Sequence, residues 1–170
     1  MSTPYVAQAG EHEQLEWIGG GIMEILLDAK HTGGHVSMFR STVPTPTASP
    51  VHVHPHEDEI FVMLSGSGLV WIGDRRHELH AGGIAFLPRN IPHAYRFTTD
   101  NVDMLALATP SGMEGFFRDA GWNRSHPKPA DWTVTPQALG KAAAANGQIV
   151  LGPPLAATET IPPHLLQTNP

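Results

Sequence analysis

Val51–Gly66, VHVHPHEDEIFVMLSG, is the stretch whose reading decides the fold. In an extended chain, side chains at i and i+2 share a face, so His52 and His54 project together. Pro55 stops ladder pairing and a short turn follows. Glu59 then opens the next strand, and two strands ~5 Å apart would set it beside the two imidazoles. A fourth donor arrives in Gly82–Arg96, GGIAFLPRNIPHAYR, where Pro88 and Pro92 pin the backbone and His93 starts a strand. Three imidazoles and one carboxylate on rigid strands would hold one divalent first-row metal per chain and leave positions for water or substrate. Imidazole and carboxylate donors suit Fe, Mn, Co, Ni, Cu and Zn alike, so the sequence does not choose among them.

Outward from this segment, the chain reads as short strands punctuated by turns. Strands are expected at Ile22–Leu27, Val36–Val43, Glu59–Leu64, Leu69–Ile72, His77–His80, Ile84–Leu87, His93–Thr98 and Val102–Thr109. Such regular spacing indicates an all-β sandwich or barrel. His31-Thr32-Gly33-Gly34 reads as a turn, and residues 1–16 as polar and loosely held. After Pro110 the pattern turns helical: Gly112–Ala120 places Met113, Phe116, Phe117 and Ala120 on one face, and Pro136–Asn146 has Thr135 as N-cap and Gly147 as C′. The Pro-rich residues 147–170 are expected to wrap the surface or fray. At 170 residues the chain reads as a single domain, 1–170, with a barrel core over about 20–110 and an extension over 111–170.

Composition narrows the function. Ten Lys and Arg against 16 Asp and Glu give a net charge of −6, with no basic run to neutralise nucleic-acid phosphates. No Cys is present, which excludes thiolate metal sites, Fe–S clusters and thiol nucleophiles. No apolar run approaches the ~20 residues that span a bilayer, and Met1–Trp17 lacks the features of a signal peptide, so the expected location is the cytoplasm. The 11 His outnumber all Lys and Arg. His56 is expected at the rim of the site, Glu57 and Asp58 on a solvated turn, and His77 and His80 on the surface. Phe61 and Met63 share the parity of Glu59 and should face the interior; Ile60, Val62 and Leu64 should face outward. Ile91 and Tyr95 share the parity of His93. With Phe86, Met38, Phe116 and Phe117, these inward residues (Phe61, Met63, Ile91, Tyr95) are the candidate substrate-binding set. The outward apolar face predicts a homodimer.

The two segments resemble the cupin superfamily. In its first motif, G(X)5HXH(X)3–4E(X)6G, His52, His54, Glu59 and Gly66 fit, while Pro46 stands where the leading Gly belongs. In the second, G(X)5PXG(X)2H(X)3N, Gly82, Pro88 and His93 match; Asn90 replaces the middle Gly and Phe97 the final Asn. Asn also tolerates left-handed backbone. The resemblance implies a double-stranded β-helix, a jelly-roll barrel, with His52, His54, Glu59 and His93 as metal ligands. The run PRNIPHAYRF, then a strand, then TPSGMEGFFRDAG, is similar to small bacterial quercetin 2,3-dioxygenase-like proteins, whose C-terminal helix packs near the barrel mouth. That likeness implies a metal-dependent dioxygenase acting with O2 on a flavonol-like or other enolisable aromatic, with Glu59 as both ligand and base. The same site would also serve a redox-neutral isomerase, cyclase or lyase, or a non-catalytic small-molecule binder.

Overall fold

In the computed structural model, residues 4–167 are described. The strands are β1 (Glu13–Glu16), β2 (Ile22–Leu27), β3 (Ser37–Val43), β4 (Val51–Val53), β5 (Asp58–Ser65), β6 (Ser67–Ile72), β7 (Arg75–His80), β8 (Ile84–Leu87), β9 (His93–Phe97), β10 (Val102–Thr109), β11 (Trp122–Asn123) and β12 (Ile149–Gly152). Three helices accompany them: α1 (Ala29–Thr32), α2 (Glu114–Ala120) and α3 (Pro136–Ala145). Two antiparallel sheets face each other, one ordered β11-β1-β2-β3-β10-β5-β8 and the other β12-β4-β9-β6-β7. This is the all-β jelly-roll architecture expected from the motifs.

Period-two alternation builds the first sheet. Ser37, Phe39, Ser41 and Val43 of β3, and Val102, Met104, Ala106 and Ala108 of β10, are buried while the residues between them are not. Phe39, Phe61, Met63, Met104 and Leu87 fill the space between the sheets. Between β5 and β6, Gly66 turns the chain with φ 83° at a point where a Cβ would lie 2.8 Å from Val102 Cγ2. Asn90 adopts φ 64°, the left-handed conformation the second motif asks of its glycine.

Both ends of the chain depart from the sequence expectation. Residues 13–16 form β1, paired with β2, and Leu15 is 1% exposed because the strand closes one flank of the core. The supposed turn at His31–Gly34 is partly α1, capped by the Asp28 side chain accepting from the Lys30 amide at 3.0 Å and ended by left-handed Gly33. Residues 147–167 wrap the surface as expected but are also built into the smaller sheet and a second core. Strand β12 pairs with β4, with Ile149 opposite Val53 and Val150 opposite His52. Beyond it, Leu155 and Ile161 are buried with Val51, Leu69, Trp71 and Ala94 in a second core on the outer side of the smaller sheet. Arg96 is on that outer side, as its parity required, donating from Nε to the Leu155 carbonyl at 2.7 Å.

Among the described residues, nothing covers the outer ends of the β5 and β8 face. Val62 pairs with Ile84 and Ile60 with Phe86, and Leu64, Ile84 and Phe86 are 44, 68 and 55% exposed.

Candidate metal centre

Strand β4 is three residues long, with Val51 turned into the outer core, Val53 buried, and His52 between them turned to the cavity. His54 follows on the same side. His93 opens β9 directly opposite His52, their ring centroids 4.3 Å apart. The rings of His54 and His93 lie 5.1 Å apart and nearly parallel. Glu59 approaches differently from the sequence expectation. It is not the ladder neighbour of β4; β5 belongs to the other sheet, so the carboxylate reaches the imidazoles across the barrel. Its Oε2 lies 3.5 Å from His93 Nε2 and 3.7 Å from His54 Nε2. One donor atom from each of the four residues lies within 4.8 Å of every other.

Hydrogen bonds prepare two of the rings. His52 Nδ1 donates to the Pro50 carbonyl and His93 Nδ1 to the Ile91 carbonyl, each at 2.9 Å and each two residues back. With the Nδ1 proton committed, Nε2 keeps its lone pair for a cation, the usual outer support of a ligating histidine. Burial, then the neighbouring His93, lowers His52 to about 4. Burial lowers His93 to about 4 as well, and pushes His54 lower still. All three imidazoles are therefore neutral near pH 7, as metal ligation requires. Burial raises Glu59 to about 7; a divalent cation beside it would pull that value back down.

The residues fit a metal. Nε2 of His54, Nε2 of His93 and Oε2 of Glu59 are buried with no hydrogen-bond partner. A buried polar atom left unpaired costs about 1–3 kcal/mol. Three such atoms converging on one point are satisfied together by a single cation.

This cluster forms part of one wall of a mostly apolar cavity. Of the expected pocket residues, Phe61, Tyr95, Phe116 and Phe117 line it. Four others do not. Met63 faces inward but is packed in the core, 1% exposed, away from the cavity. Phe86 is on the outside, because register sets Leu87 opposite Glu59 and Ala85 opposite Phe61, so those two share the inward parity. Met38 likewise alternates out of phase with buried Phe39, whose ring packs 4.7 Å from Phe117. Ile91 lies in the loop before β9, 37% exposed, and serves the site through its carbonyl. His56 is exposed, as expected of a rim residue, and His77 and His80 are surface residues. Glu57 is not on a solvated turn: it is 8% exposed, and burial raises its carboxyl. Asp58 does meet solvent, paired with Arg89 at 2.9 Å.

Several cavity residues had no signal in the sequence. Trp17 and Ile18 come from the segment after β1, Ser49 and Pro50 from the loop before β4, Leu139 and Ala143 from α3, Gln148 from the link after it and Val150 from β12. The helices close the barrel mouth. They approach so closely that a Cβ on Gly115 of α2 would overlap Asn146 Oδ1 at the end of α3. Asn146 Nδ2 also donates to Asp119 Oδ2 at 2.9 Å, tying the two helices together.

Residues 39–110 match the Cupin_2 family, described as a cupin domain. Those residues carry a cupin domain. An uncharacterized protein of Aquifex aeolicus is 29% identical over 92 residues, 54% of this chain and 74% of that protein. The quercetin 2,3-dioxygenase of Bacillus subtilis is 23% identical over 144 residues, 83% of this cupin but 42% of that enzyme. This cupin therefore spans less than half of the dioxygenase. Among solved structures, KdgF from Halomonas sp. superposes with a TM-score of 0.57 at 16% identity, over 64% of this chain and 94% of that one. An RmlC-like cupin from Shewanella frigidimarina gives 0.55 at 17% identity, over 67% and 98%. Both likenesses are of fold. Among the described residues no helix is long and apolar enough to cross a membrane.

Proposed function

We propose that this cupin is a metal-dependent dioxygenase that cleaves a flavonol-like or other enolisable aromatic, with Glu59 as base. The observation that carries the reading is the buried His52, His54, Glu59 and His93 cluster opening onto a cavity walled by Trp17, Phe61, Tyr95, Phe116 and Phe117. Flat apolar walls suit an aromatic ring. Among the described residues no Arg or Lys lines the cavity, so no basic side chain there balances a phosphate or carboxylate on the ligand. The match to the Bacillus subtilis quercetin 2,3-dioxygenase over 83% of the chain supports the same class of substrate.

His52, His54, Glu59 and His93 would hold a divalent first-row ion, which when bound supplies Lewis acidity toward a phenol or enol oxygen and access to O2 chemistry. The chain's own residues do the rest. The aromatic walls exclude water and orient the ring with its hydroxyl toward Glu59. The Glu59 carboxylate accepts the hydroxyl proton and holds it. Both oxygen atoms of O2 enter the product, so no external reductant is needed.

The test is O2 uptake by protein reconstituted in turn with Fe, Mn, Co, Ni, Cu and Zn, using quercetin as substrate. The expected result is uptake of one O2 per quercetin consumed with at least one metal. Consumption without O2 uptake would replace the dioxygenase by the redox-neutral alternative, and binding without consumption would make the cupin a binder.

A further inference from the structure

Gln148 stands out among the cavity residues. It is 8% exposed and lines the cavity, yet among the described residues its carboxamide has no hydrogen-bond partner. Its backbone is fixed. Gly147 turns the chain with φ 76° after α3, and the Gln148 amide donates to the Ala143 carbonyl at 2.9 Å. The register then sets its direction. Val150 of β12 is opposite His52 of β4, and directly opposed residues of an antiparallel pair project to one side. Gln148, two residues earlier, shares that side, one strand over from His52 and His54. Both Gln148 and Val150 accordingly line the same cavity as the two imidazoles.

Its neighbours sharpen the reading. Apart from the imidazoles, Glu59 and the Trp17 indole, the cavity's other polar side chains are Ser49 and Tyr95. The Ser49 hydroxyl accepts from the Tyr95 amide at 3.0 Å and keeps its own proton to donate. The Tyr95 hydroxyl has no partner among the described residues and can donate to a ligand. A carboxamide that lines the cavity without a protein partner can donate to or accept from a ligand there. An apolar ligand would leave it unpaired; an oxygenated one would satisfy it.

We propose that Gln148 is a specificity-determining residue, whose carboxamide hydrogen-bonds an oxygen substituent of an aromatic ligand held beside His52 and His54. The C-terminal extension thus supplies recognition to a site whose ligands come from the barrel. The inference rests on the proposed substrate class, but its test does not depend on turnover.

The experiment is equilibrium dialysis of metal-free wild-type protein and Gln148→Leu against quercetin and, separately, against naphthalene, which carries no polar group. The expected result is that Gln148→Leu weakens quercetin binding about tenfold, while naphthalene binding is unchanged or tighter and the melting temperature is unmoved. Equal affinity of both proteins for quercetin would overturn the assignment. So would a parallel loss for both ligands, which would mean that Gln148 only shapes the cavity, and so would a wild-type protein that does not bind quercetin. If quercetin binds with the predicted discrimination but the metal-loaded protein consumes no O2, the dioxygenase reading falls and the role of Gln148 stands.

Discussion

Substituting Ile161 by Ala tests how the metal-bearing strand is supported. Ile161 is 2% exposed, packed with Leu155 against Val51, Trp71 and Ala94, and Val51 immediately precedes His52 on β4. The surrounding tail is also hydrogen-bonded, with Trp71 Nε1 donating to the Glu159 carbonyl at 2.8 Å. Truncating a buried Ile to Ala costs about 2–5 kcal/mol, made up of lost transfer energy and the cavity left behind. A tail on the outside of a sheet collapses more readily than a barrel interior, so the lower half, about 2–3 kcal/mol, is expected. For a domain of this size, each kcal/mol moves the melting temperature by about 2–4 °C. The shift should therefore be about 4–12 °C downward, measured by calorimetry on metal-free protein. A shift under about 1 °C would show that the tail unfolds separately from the barrel, and the reasoning from its burial would be refuted.

Glu59→Gln keeps the shape and one oxygen donor but cannot take a proton, so it should retain part of the metal while turnover falls about 100-fold or more; parent-rate turnover by a metal-loaded variant would leave Glu59 a ligand only. The exposed face of Leu64, Ile84 and Phe86 on β5 and β8 is proposed as the surface on which a second copy docks. Light scattering should then give about twice the 18.3 kDa chain mass, and Phe86→Asp should return the monomer; wild type at the chain mass would refute the dimer. Burial opposes ionisation of Glu114, but the Ser37 hydroxyl and the Ala29 and Gly112 amides outweigh it and hold the carboxyl below its ordinary value. Its contribution is thus present above the unfolded glutamate pKa of about 4.3 and is lost as pH falls through the lower folded value. Glu114→Gln should flatten the acid limb of the stability curve, and an unchanged limb would show that the bonds around Glu114 contribute nothing.

The metal cluster was legible because its geometry is local. A two-residue repeat puts His52 and His54 on one face whatever the strand pairs with, and Pro92 and Asn90 fix the approach of His93. What the pattern could not tell was which strands pair. Glu59 follows His54 by five residues, yet the chain crosses to the opposite sheet between them. Phe86 and Met38 were misplaced for a similar reason: parity needs an anchor, and theirs came only from the register with Glu59 on β5 and with β10. The tail was illegible because Leu155 and Ile161 stand singly among prolines with no periodicity. Their burial comes from a face of the smaller sheet that only the folded barrel presents. Gln148 carries no sequence signal beyond the glycine before it, since its role follows from β12 joining β4.

The most direct test of the account is the metal content of freshly purified protein, compared with that of His93→Ala. His93 is 1% exposed and contributes one of the three converging unpaired atoms. About one equivalent of a divalent first-row metal per wild-type chain is predicted, falling well below half in the variant, with a lower melting temperature because the ion binds the folded state better. A wild-type protein that neither carries nor takes up any such metal, or a His93→Ala variant at full occupancy, would contradict it.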